Sequence, residues 1–264
     1  MEREPWCAAF GENLTSTNPL SRHRIFFCSD GTDVIAALQV SFSGNVIPVL
    51  SEAFIREAAA LPPPRLSAAL RPFSIMGKEA WVEAVCGWYG VKNRHTVYYY
   101  LMARSTDTVP GGCILPGITV AEMGTGDIER LFPLQKGYEI EEVILDPGSF
   151  NERLCRANLR RILNEHQVFA ALDGNGNALS KVNTNARGMT CEQIGGVYTL
   201  PACRGRGLAS CVFAELLGRI HDRHKTPCLF VKKENDAAIA LYRRWGFDIL
   251  GSFIITYPAR DSRE

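Results

Sequence analysis

Apolar and polar positions along the chain fall into a run of short strands and amphipathic helices that occurs twice. In the first part, Ile25–Cys28, Val34–Phe42 and Val46–Leu50 read as strands, separated by the turns Asp30-Gly31-Thr32 and Ser43-Gly44-Asn45. Ser51 is placed to cap a helix over Glu52–Ala60, which the run Leu61-Pro62-Pro63-Pro64 ends. A second helix is expected over Lys78–Tyr89, and a strand over Val97–Met102. The glycines and prolines of Val109–Gly112 and Leu115–Gly117 then mark a turn-rich connection. It divides an N-terminal α/β domain, residues 1–110, from a second domain, residues 118–264.

The second part opens with a strand at Ile118–Met123 and a helix over Asp127–Gly137, with Ile128, Leu131, Phe132 and Gln135 on its inner side. Glu139–Ile144 forms a further segment, followed by an arginine-rich helix over Asn151–Asn164. Arg153, Arg156, Arg160 and Arg161 on that helix read as a solvated face, with attraction of an anionic ligand as the alternative. His166–Leu172 and Ala178–Asn185 form a hairpin about the turn Asp173–Asn177, and Gln193–Leu200 is the next strand. This order loosely echoes the first part, so two related units in tandem are expected.

The chemistry concentrates where that last strand ends. Val197, Tyr198 and Thr199 run through Leu200-Pro201-Ala202-Cys203 into Arg204-Gly205-Arg206-Gly207, which opens into a helix at Leu208 and Ala209. Such a junction aims several backbone N–H groups at one point, where the helix dipole also favours negative charge, so it suits a phosphate or pyrophosphate. The glycines permit unusual φ values and close approach, and Arg204 and Arg206 add positive charge. Ser210 stands where the dinucleotide fingerprint requires a third glycine, and the Gly-Lys-Ser/Thr ending of the nucleoside triphosphate loop is missing. Further on, Asn235 is placed to cap a helix carrying Ala238, Leu241, Tyr242 and Trp245 at helical spacing, stopped by Gly246 before Phe247.

Arg204-x-x-Gly207-x-Ala209 followed by Asn235-x-x-Ala238-x-x-x-Tyr242-x-x-x-Gly246-Phe247 resembles the GNAT N-acetyltransferase superfamily. The resemblance covers about residues 118 to 264. It implies an α/β fold with a mixed, mostly antiparallel central sheet flanked by helices. The N-terminal half would then be a degenerate GNAT-like unit without a cofactor loop. It further implies transfer of an acetyl group from acetyl-CoA, as co-substrate, to a primary amine of a small molecule or peptide. On that reading Arg204–Ala209 holds the pyrophosphate, Val197, Tyr198 and Thr199 pair with the pantetheine arm along an unpaired strand edge, and an N–H near Val197 polarises the thioester carbonyl. Asn235 would bond the arm and Tyr242 would act as general acid. The general base is open: Glu192 or Glu142, with Glu141 as a further candidate and a water relay as the alternative.

Composition narrows the field. The chain of 264 residues is 46% hydrophobic, enough for real cores, and its net charge of +1 gives no broad pull toward nucleic acid or membrane. No apolar run reaches the length of a membrane span, and Met1–Pro5 lacks a secretory apolar core. The nine cysteines are scattered with no Cys-x-x-Cys pair, so neither zinc, nor any other metal, nor a disulfide framework is indicated, and a reduced, cytoplasmic protein is expected. Cys203 reads as a packing residue, with a reactive thiol as the alternative. A monomer or a homodimer is expected, with no nucleic-acid or membrane partner. A non-catalytic acyl-CoA-binding sensor is the alternative function. A nucleotide-binding protein or an oxidoreductase using a different glycine loop is disfavoured by the missing third glycine and by the lack of a suitably placed acidic residue.

Overall fold

In the computed structural model the described residues are 23–29, 31–41, 43–58, 72–88, 90–92, 94–104 and 111–259. Asp30, the stop at Leu61–Pro64, Tyr89, Val109–Pro110 and the Met1–Pro5 segment lie outside them. The chain packs as two units. Unit 1 comprises Met1–Met102, Phe230–Ile239 and Ile249–Glu264; unit 2 comprises Ala103–Leu229 and Ala240–Asp248. The first unit is not one continuous stretch of chain: two late segments return to it. The physical reason for one return is visible in the backbone: the C-terminal strand pairs antiparallel with Ser74–Lys78, from Phe253↔Lys78 to Thr256↔Ile75.

Unit 1 begins with β1 (His23–Ser29), β2 (Val34–Ser41) and β3 (Asn45–Leu50), then α1 (Glu52–Ala58), β4 (Ser74–Lys78), α2 (Glu79–Trp88) and β5 (Arg94–Arg104). β1, β2 and β3 form an antiparallel meander. β4 lies parallel to β3, as a crossover through a helix requires. The Ser51 hydroxyl caps α1 by accepting the Phe54 N–H at 3.1 Å. Val46, Ile75, Val82, Val85 and Ile254 fill the core.

Unit 2 contains β6 (Thr119–Glu122), α3 (Ile128–Tyr138), a π-helical turn (Glu139–Val143), α4 (Glu152–Glu165), β7 (Val168–Leu172), β8 (Ala178–Arg187), β9 (Cys191–Thr199) and α5 (Leu208–Asp222). β10 (Thr226–Lys232), α6 (Asp236–Arg244) and β11 (Phe247–Pro258) follow. Its strands lie in the order β10-β9-β8-β7-β6. All neighbours are antiparallel except β9 and β10. Asn151 caps α4, its Oδ1 accepting the Leu154 N–H at 3.0 Å. Cys155, Leu159, Ile162 and Leu163 form that helix's buried side. Among its arginines, Arg156 pairs with Glu129 and Glu152, and Arg161 with Glu165.

The tandem expectation takes a definite form. β1-β2-β3, α1, β4, α2, β5 and β7-β8-β9, α5, β10, α6, β11 run in the same order, each with a parallel crossover after a three-strand meander. β4, which the sequence pattern does not predict, completes the match. A correction concerns cysteine: Cys113 and Cys211, 98 residues apart, form a disulfide between the residue-111–117 segment and the first turn of α5. A separation of that size leaves no local spacing signal. No helix among the described residues is long and apolar enough to cross a membrane.

Candidate functional site

The site is built on β9 and the turn that leaves it. β10 pairs in parallel with β9 from Thr226↔Cys191 to Leu229↔Ile194, and the paired run ends there while β9 continues to Thr199. On its other side β9 stays with β8, through Lys181↔Tyr198 and Ser180↔Thr199, but the register shifts between Lys181 and Asn183. Asn183 faces Gly195, so β9 carries one extra residue at Gly196-Val197, a bulge. Gly196 has φ +59°, and a Cβ on it would collide with the Asn183 side chain and lie 2.8 Å from Lys181 Nζ. Only glycine meets both demands.

After Thr199 a single 3-10 turn, Pro201–Cys203, delivers the chain to Arg204. Gly205 and Gly207 both adopt left-handed conformations, φ +74° and +78°. Gly207 is the N-cap of α5 and supplies no side-chain acceptor to the first turn, while the Gly207 carbonyl receives Cys211 N–H. No side chain caps those leading N–H groups, from Leu208 and Ala209 on, and with the helix dipole they make the arrangement an anion uses. Arg204, however, is turned from the loop. Its Nε donates to Thr199 O at 3.1 Å, its Nη2 to Glu141 Oε2 at 2.7 Å, and its guanidinium lies 5.4 Å from the Tyr198 ring centre.

Glu141 is thereby the centre of a triad. Tyr198 donates its hydroxyl to Glu141 Oε1 at 2.5 Å. Burial pushes the Glu141 carboxyl up, but the bonds from Tyr198 and Arg204 outweigh it and hold the group below its ordinary value. Burial and the adjacent carboxylate together raise the Tyr198 phenol to about 12. Tyr198 thus combines a strand backbone beside the loop with a side chain locked inward. Gly137 of α3 makes room for that ring, since a Cβ there would lie 2.6 Å from Tyr198 Cζ.

Glu192 is the one buried carboxylate among the described residues, and it is ion-paired. Arg223 clamps it from two nitrogens, Nε to Oε1 at 2.8 Å and Nη2 to Oε2 at 2.6 Å, with Arg187 Nε 3.6 Å from Oε1. This is a structural ion pair between the start of β9 and the end of α5. Glu142, on the π-helical turn, instead acts on two phenols. Burial first, and Tyr138 and Glu142 after it, push the Tyr242 hydroxyl far above its ordinary value. Tyr242 is buried, its ring 5.4 Å from Phe213 and 6.2 Å from Phe247. Asn235 lies in Phe230–Ile239, which packs with unit 1, where its Oδ1 caps α6 through the Ala238 N–H at 3.0 Å.

One residue of this neighbourhood escaped the sequence reading. Lys181, 1% exposed, points inward from β8. It has no motif, and its burial is set by tertiary context, so no sequence signal marks it.

A mixed sheet with helices around it carries a bulged strand released from its parallel neighbour and a glycine turn into a helix. The fold is that of the GNAT N-acetyltransferases. Residues 179–252, spanning β8 to β11, match the family described as FR47-like protein. Among solved structures, a Drosophila protein is similar with a TM-score of 0.69 and 12% identity, over 91% of this chain and 80% of that one. An acetyltransferase of the GNAT family from Colwellia psychrerythraea is similar with a TM-score of 0.57 and 12% identity, over 92% and 87% of the two chains. A tandem GNAT protein from the clavulanic acid biosynthesis pathway gives a TM-score of 0.57 and 11% identity, over 92% and 85%. No curated protein matches the sequence.

Proposed function

We propose that the protein is an N-acetyltransferase that moves the acetyl group of acetyl-CoA to a primary amine of a small molecule or peptide. The observation that carries this reading is the continuity of one strand with one loop. β9 loses its parallel neighbour after Ile194, bulges at Gly196, and soon after reaches a helix N-terminus at Gly207 that no side chain caps. The cofactor fits: pyrophosphate on the N–H groups of Arg206–Ala209, and pantetheine along the free edge of Val197–Thr199 in the manner of an added strand. When bound, acetyl-CoA supplies the activated acyl group. The chain's own groups do the rest. The Val197 N–H receives charge on the acyl oxygen. Tyr242, held protonated by burial, donates to the departing sulfur. Glu142, whose charge acts on the Tyr138 and Tyr242 phenols, is the proton acceptor for the amine.

Calorimetric titration with acetyl-CoA, with NAD and ATP as controls, tests the reading. Micromolar binding of acetyl-CoA alone is expected, followed by thiol release when primary amines are screened. Binding without turnover of any amine points to the acyl-CoA sensor, and no binding overturns the reading.

A further inference from the structure

The Gly196–Val197 peptide is held by more than strand pairing. Lys181 Nζ donates to the Gly196 carbonyl at 2.9 Å and to Asn183 Oδ1 at 3.1 Å, and lies 5.0 Å from the centre of the Tyr138 ring. Asn183 is fixed in turn, its Nδ2 donating to Thr184 O and Asn185 Oδ1, each at 2.9 Å. The Gly196 N–H donates to the Tyr138 hydroxyl. Gly196 is therefore gripped at both its donor and its acceptor.

The consequence follows from peptide geometry. The Gly196 carbonyl and the Val197 N–H belong to one trans planar unit and point in opposite directions. A carbonyl drawn to Lys181 sends the Val197 N–H away from it, and a charged donor on that carbonyl polarises the whole amide, making its N–H a stronger donor. A buried ammonium is costly, and a methionine or leucine would fill the same space at lower cost. The lysine is explained by what it does to the bulge.

We propose that Lys181 is a positioning residue for acyl transfer, orienting and polarising the Gly196–Val197 peptide so that the Val197 N–H meets the oxygen of the acyl group. This rests on the acetyltransferase reading for its catalytic part, and on the geometry of β8 and β9 alone for its positioning part. The groups facing the amine are Tyr138 from α3, Glu139 from the π-helical turn and Cys155 from α4. Burial lowers the amine to about 7, against the pull of Glu139 and Cys155, so its charge titrates near neutrality.

Lys181→Met is the first test. Its affinity for acetyl-CoA by calorimetry should stay within about twofold, while kcat falls by about 10-fold, a fraction of the loss seen when an oxyanion donor is removed outright. The ratio of wild-type to variant kcat should shrink as pH rises through about 7, where the ammonium is lost. An unchanged kcat, or a loss confined to binding, overturns the proposal. A second measurement needs neither turnover nor a folded variant. In the wild-type protein the Val197 amide and the Lys181 side-chain nitrogen, followed by NMR, should titrate with one midpoint. A Val197 amide that ignores the lysine's titration refutes the positioning part even if acetyl-CoA fails to bind.

Discussion

Glu192→Gln separates two roles that a carboxylate at the head of β9 can play. The substitution keeps shape and one hydrogen-bonding oxygen but removes the charge. Glu192 has a side chain only 2% exposed, and that of Arg223 is 25% exposed. Breaking a fully buried pair costs about 3–5 kcal/mol, because the surviving ion is stranded. Arg223 reaches water in part and keeps a weaker bond to the amide oxygen, so the cost here is about 2 kcal/mol. Urea denaturation reads that as a midpoint lowered by about 1 M for a slope of about 2 kcal/mol/M. Turnover per folded molecule should stay within about threefold, since a clamped carboxylate abstracts no proton. Unchanged stability with a 100-fold fall in kcat would reverse the assignment and make Glu192 the base.

Tyr242→Phe keeps the ring between Phe213 and Phe247 and removes only the hydroxyl. Turnover should fall about 100-fold with acetyl-CoA affinity nearly unchanged; turnover at the wild-type rate would show that the acid is another group. Gly207→Asp forces a side chain onto φ +78° and sets a carboxylate against the pyrophosphate. Calorimetry should find acetyl-CoA binding abolished in a protein whose circular dichroism is unaltered, and retained binding would refute the loop's role. The pH dependence of stability has a definite sign. The Lys181 amine is lowered from 10.5 to about 7 on folding, so between these values the unfolded chain binds the extra proton and stability rises with pH. Its share is about 1.4 kcal/mol per pH unit. Above pH 10 the raised phenols of Tyr138 and Tyr198 reverse the trend. Urea midpoints at neutral pH and at about pH 9 should differ in wild type and converge in Lys181→Met; parallel behaviour would refute the lowered amine.

What was legible in the sequence was what local chemistry enforces. Gly205 and Gly207 were readable because a turn into a helix needs left-handed residues there, and Ser51 and Asn235 because caps are short-range. β4 was not, since Ser-Ile-Met-Gly-Lys is brief and lacks alternation, and the pairing that makes it a strand comes from β3 and from β11 near the chain's end. The interactions that reassign residues are all long-range: Tyr198 to Glu141 across 57 positions, Arg223 to Glu192 across 31, Cys113 to Cys211 across 98. A carboxylate's partner decides whether it is a base or a strut, and the partner is chosen by the fold.

The polar face of β8 shows why such choices mark function. Lys181 and Asn183 alternate along the strand, so they share one face, and both are buried where aliphatic residues would pack at lower cost. Lys181 bonds Asn183 and Gly196, Asn183 is braced by Thr184 and Asn185, and their bulk is what requires Gly196 to be glycine. The cluster therefore costs stability and restricts sequence on two strands while adding no apolar core. A fold selected for stability alone would straighten β9 and replace both residues with valine or leucine. That the chain instead spends a lysine, an asparagine and a left-handed glycine on one peptide group, at the point where β9 has just lost its parallel neighbour, ties the bulge to the chemistry of the edge it exposes.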